Sequence, residues 1–142
     1  LNGKVRGSEN SLEISSVTQV LHRIVTCPAN QDTTVANFHA ATNTSDNALD
    51  VEDAKYIRVT NLDASNSINL SLQIDAAEDD SAAAESATIL VAAGRSFIMG
   101  TPSDGLAVSD ANATIVTTLH NLESILVDPG SNAISVEVFI AS

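Results

Sequence analysis

Apolar and polar residues alternate with period two over much of the chain, the pattern of strands with one buried and one wet face. Ile68, Leu70, Leu72 and Ile74 interleave with Asn69, Ser71 and Gln73. Ile134, Val136 and Val138 alternate with Ser135, Glu137 and Phe139, so Phe139 falls on the outer face, where another strand or a partner would cover it. In the segment 56–62, Ile57 and Val59 share one side, with Arg58 and Thr60 on the other. Asp63-Ala64-Ser65-Asn66 then has the length and chemistry of a four-residue hairpin loop, which predicts a hairpin between the strands at 56–62 and 68–74.

The same reading predicts further strands at 12–16, 20–26, 33–39, 87–92, 96–99, 114–119 and 124–127, punctuated by Pro28, Gly94, the 102–105 turn and Asp128-Pro129-Gly130. About eight to ten short strands at such spacing predict an all-β, single-domain antiparallel β-sandwich, jelly-roll-like. The domain is expected over 12–142, preceded by a flexible polar arm at 1–11. Residues 76–87 are the one helix-favourable stretch, rich in Ala and Glu but without a large apolar face, and so read as a marginal helix or an ordered loop.

Composition narrows the chemistry. The 142 residues include 20 Ala and 36 Val, Ile or Leu, but only three Phe, one Tyr and no Trp. An aliphatic core of this kind suits tight sheet packing better than a deep ligand pocket. Six basic against 18 acidic residues, a net charge of −12, argue against a nucleic-acid or anionic-membrane partner, because phosphates are held by clustered Lys and Arg. No apolar run reaches the roughly 20 residues of a membrane helix. Nine of the 18 acids fall in 46–53 and 75–85 and predict a negative end of the sandwich, a solvated rim in the simplest reading and a cation or basic-partner surface in the other. Neither run has calcium-loop spacing.

Catalytic patterns do not emerge. His22, His39 and His120 are not at metal-ligand spacing, and no Ser sits in a nucleophile elbow. Six scattered glycines make no phosphate loop, and sugar-stacking aromatics are scarce. The chain is therefore read as a non-enzyme without cofactor or metal. Cys27 is the sole cysteine, so it forms no intramolecular disulfide and is expected to be an inert, partly buried thiol. The chain opens at Leu1 rather than Met, which suggests processing, trimming or incomplete coverage; 1–10 shows no apolar secretory segment, and three Asn-x-Ser/Thr triplets are read as chance.

Two phrases, Tyr56-Ile-Arg-Val-Thr-Asn-Leu-Asp and Ala92-Ala-Gly-Arg-Ser-Phe-Ile-Met-Gly, resemble the small β-rich virion proteins of tailed phages, in particular of marine phages and cyanophages. The resemblance spans about 55–140 and implies a capsid decoration (cement) protein that binds the major capsid protein of a phage head shell. It implies a place on the capsid surface after synthesis in the host cytoplasm, and it carries no catalytic residues over. A homo-oligomer, trimer or dimer, is expected, with Phe97 and Phe139 filling a seam and Lys4 and Arg6 in an arm that orders on the partner. Two other classes are a tail- or fibre-associated module that recognises a host surface glycan, which predicts a shallow polar groove, and a secreted adhesin or pilus-like subunit.

Overall fold

The structure is a computed structural model that describes residues 7–39, 49–74, 85–109 and 115–142. Nine strands run through these residues: β1 (Val20–Cys27), β2 (Thr33–His39), β3 (Leu49–Asp50), β4 (Tyr56–Asn61), β5 (Ile68–Ile74), β6 (Glu85–Val91), β7 (Ser96–Met99), β8 (Leu122–Asp128) and β9 (Ile134–Ala141). They form a four-stranded sheet, β1-β9-β4-β7, and a five-stranded sheet, β3-β2-β8-β5-β6. The all-β, single-domain sandwich expected from the alternation is the fold.

The pairing is nested. β1 pairs with β9, β2 with β8, β4 with β7 and β5 with β6, all antiparallel. A long hairpin rolled over on itself in this way is a jelly roll. Its alternating side chains explain why it closes. Ile57, Val59, Val136, Val138 and Ile140 from one sheet meet Val35, Leu70, Leu72, Ile125 and Val127 from the other in a single core. β4 and β5 bury every second residue throughout, as β9 does from Ile134 to Ile140, so a slip of one position in these strands would expose the whole set.

Three expectations change. The segment 56–62 and β5 do not form a hairpin: β4 lies in the four-stranded sheet and β5 in the five-stranded one. Residues Asp63 to Asn66 instead turn a corner between sheets. The Asp63 carboxylate accepts from the Ser65 and Asn66 amides at 2.8 and 2.6 Å, contacts that hold its pKa below the usual carboxylate value. Asn61, fully buried, does at this corner what a ladder would do in a hairpin. Its Nδ2 donates to the carbonyls of Asn66 at 2.8 Å and Val91 at 3.2 Å, and its Oδ1 accepts from the Asp63 amide at 3.0 Å.

The second change is that 12–16 and 115–119 contain no strand, and Thr114 lies outside the described residues. An isolated Leu106–His120 bridge is what pairs near the latter segment. The third is β3, a two-residue strand parallel to β2 through Phe38–Leu49 and His39–Asp50, too short for any periodicity to announce it. Of the helix-favourable stretch, 76–84 lies outside the described residues, while 85–87 open β6. Residues 7–19 carry no strand, so regular structure begins at Val20 rather than at 12. The turn at Pro129 is as expected: Gly130 has φ +67°, and its amide donates to the Asp128 carboxylate at 2.8 Å.

Candidate functional site

The register of the four-stranded sheet sets its outward side chains in rows. His22, Phe139, Arg58 and Ile98 form one row across β1, β9, β4 and β7, and Ile24, Glu137, Thr60 and Ser96 form the next. At the centre, Glu137 accepts from two sides: His22 Nε2 lies 2.8 Å from Oε1 and Arg58 Nη2 lies 3.1 Å from Oε2. Phe139 stands between His22 and Arg58 in the neighbouring row. Its ring lies 6.1 Å from that of His22 and 6.0 Å from that of Tyr56, nearly edge-on, with the Arg58 guanidinium carbon 5.5 Å from its centroid. Such ring and cation contacts hold the side chains in one arrangement.

Around this centre the face is aliphatic. Ile24, Ile98, Val20 and Leu62 are 64, 58, 57 and 46 % exposed. Thr60 and Ser96 bond each other at 2.8 Å, and Thr26 and Ser135 at 3.1 Å. With Arg58 and Glu137 as the charged members of the two rows, the face is close to neutral on a molecule of net charge −12.

A hydrogen bond from His22, together with the nearby Arg58 guanidinium, holds Glu137 below the usual carboxylate range against the opposing effect of desolvation. A depressed carboxylate contributes stability that is present above its unfolded value, 4.5, and is lost as pH falls through the lower folded value. Asp63 acts in the same direction. Acid titration of the thermal midpoint should therefore show a decline beginning near the ordinary carboxylate range, and Glu137→Gln should flatten it.

The outer face of the five-stranded sheet differs. Asp32, Asn69, Ser71, Gln73, Thr88 and Asp128 surround Leu126 in a shallow, open groove of about 310 Å³. Gln73 donates to Ser71 at 2.7 Å.

The residues singled out in the sequence do not converge. Phe139 is at the centre of the outer face. Phe97 pairs opposite Val59 and packs half-buried against the core, on the inner side of the same sheet. Lys4 and Arg6 lie outside the described residues. His22 was readable only as an isolated histidine, because its carboxylate partner lies 115 residues away in the chain. His39 ends β2 and His120 sits in the isolated bridge, so the three histidines stand apart. Among the described residues no three His, Cys, Asp or Glu side chains are placed to hold a metal ion.

Cys27 is fully buried rather than partly so. Burial pushes its thiol pKa up, against a smaller opposing hydrogen bond with Thr33. Reaction with a disulfide reagent should be at least about 100-fold slower in the native protein than in the unfolded chain, because the thiolate is the nucleophile. Stopped-flow thiol–disulfide exchange with and without denaturant measures this ratio.

No family model matches the chain, and no curated protein matches it. A solved structure described as "Bacillus endospore appendages form a novel family of disulfide-linked pili" is similar at a TM-score of 0.39 with 11 % sequence identity, covering 93 % of this chain and 95 % of that one.

Proposed function

We propose that this chain is a non-enzymatic virion structural protein, a capsid decoration subunit that binds the major capsid protein of a phage shell and stabilises the head. The observation that carries this reading is the contrast between its surfaces. A strongly acidic molecule keeps one sheet face nearly neutral and sets exposed Ile24, Ile98, Val20 and Leu62 around an ordered aromatic and ion-pair centre. Interface cores are depleted of charge and enriched in aromatic and Arg side chains in this way, and contiguous exposed apolar patches mark protein contacts. The acidic remainder opposes indiscriminate association of the free subunit. Jelly rolls serve in viral capsid domains among other roles, an architectural likeness that agrees with the reading. Many copies on a symmetric shell turn modest single contacts into firm attachment.

The test uses emptied or expanded shells of the phage that encodes the chain. Purified protein should co-sediment with them at regular stoichiometry and raise their disruption temperature. Absence from the shell fraction at every concentration overturns the proposal.

The groove of the five-stranded sheet favours a second reading, a tail- or fibre-associated module that takes a host glycan. Its carboxylates, amides and hydroxyls suit the hydroxyls of a neutral sugar around the aliphatic surface of Leu126. A glycan array followed by titration decides it: saturable binding weakened by Asn69→Ala, without shell binding, would replace the first reading.

A further inference from the structure

We infer that β1 is an assembly edge through which two copies of this chain pair antiparallel about a twofold axis at His22, joining two four-stranded sheets into one of eight strands. The idea deepens the structural role proposed above, and it is tested without any shell, so either can fail alone.

The phase of the hydrogen bonds carries the argument. Gln19 and Ser142 exchange both backbone bonds, each at 2.9 Å. An antiparallel ladder alternates bonded and non-bonded pairs. With the β1–β9 register unbroken, Leu21, Arg23 and Val25 therefore bond to β9. Val20, His22, Ile24 and Thr26 turn their amides and carbonyls to the other side, where β1 has no neighbouring strand among the described residues. The same four residues place their side chains on the outer face, including exposed Val20 and Ile24.

The other edges are less open to pairing. β7 has four residues and β3 two. β2 is broken by a bulge between Thr34 and Ala36, and its Val35 carbonyl already accepts from the Arg23 guanidinium. β6 carries Glu85, an edge charge of the kind that discourages pairing between copies. β1 is eight residues long, regular, and free of Pro, Lys and acids. Soluble proteins ordinarily blunt such an edge with those residues, with bulges or with shortness.

The axis follows from the side chains. Residues opposite one another must share a face, which leaves axes at His22 or Arg23 near the strand centre. An axis at Arg23 sets two arginines opposite each other, a destabilising like-charge pair. An axis at His22 sets Val20 against the partner's Ile24, and Ile24 against the partner's Val20, and continues the neutral face across the seam.

Sedimentation equilibrium of the full chain from about 5 to about 500 µM is expected to show mass rising from 14.7 kDa toward twice that value. Ile24→Lys should raise the dissociation constant at least about tenfold, and Leu90→Lys on β6 should leave it unchanged. Ile24 is already mostly exposed, so the substitution spares the fold. Hydrogen exchange supplies a second readout: with rising concentration the amides of Val20, His22, Ile24 and Thr26 should slow, while those of Leu21, Arg23 and Val25 are protected throughout. A constant monomer mass, an exchange pattern without this alternation, or equal weakening by Leu90→Lys would overturn the inference.

Discussion

Asn61→Ala is expected to lose about 3 kcal/mol of folding free energy, more than any surface substitution in the chain, and to lower the thermal midpoint by about 10 °C. Asn61 is the last residue of β4 and has no exposed surface. Its single side chain serves the carbonyls of Asn66 and Val91 and the amide of Asp63. A truncated side chain leaves all three without that partner. A buried polar group left unpaired costs roughly 1–3 kcal/mol, and water reaching the half-buried loop offsets part of the total. Urea denaturation with an unchanged slope would assign the loss to the native corner rather than to the unfolded ensemble. A loss below about 1 kcal/mol would mean that something other than this amide holds the corner.

The second large effect concerns docking. A double variant, Ile24→Asp with Ile98→Asp, should reduce binding to shells at least about 100-fold and leave the thermal midpoint nearly unchanged. Both side chains are more than half exposed on the outer rows of the four-stranded sheet, one at each edge, so neither supports the core. In a docked complex each carboxylate would lose its water without gaining a partner, and repetition over many subunits compounds the penalty. Leu90→Asp is the control: it is 66 % exposed on β6 of the other sheet and should leave shell binding intact. Depletion assays over a concentration series, with melting curves of the free variants, separate docking from folding.

Strand content was legible in this chain because burial imposes period two. β5 follows the alternation residue for residue and β9 follows it from Ile134 to Ile140, and β2 and β7 begin and end where the pattern and its turns place them. Pairing was less legible. The Asp63–Asn66 loop has the chemistry of a reversal, and a reversal within one sheet uses the same side-chain caps as a corner between two. What distinguishes them is Asn61, a polar residue at an inward position, whose amide answers the carbonyls that the crossing would leave unpaired. Leu12 and Ile115 show the converse: apolar residues in short alternating runs remain 76 and 87 % exposed, because no neighbouring strand among the described residues gives them a face to bury.

The outer face was visible in only one residue. Phe139 broke the polar side of an otherwise alternating strand, which marked it as covered or shared. Its neighbours His22, Tyr56 and Arg58 reach it through the nesting of β1 and β4 around β9, contacts between residues far apart in sequence that alternation alone does not specify. Phe97 shows the same limit from the other side, since its inward position depends on which strand β7 joins.

We place the proposed contact with a shell on the near-neutral face of the four-stranded sheet. A cryo-EM reconstruction of shells with and without added protein tests it directly. The expected difference density is a sandwich at regular lattice positions with Ile24, Phe139 and Ile98 turned toward the capsid surface. Subunits seated through the Asp32 and Asp128 face instead, or shells identical in both maps, would contradict it.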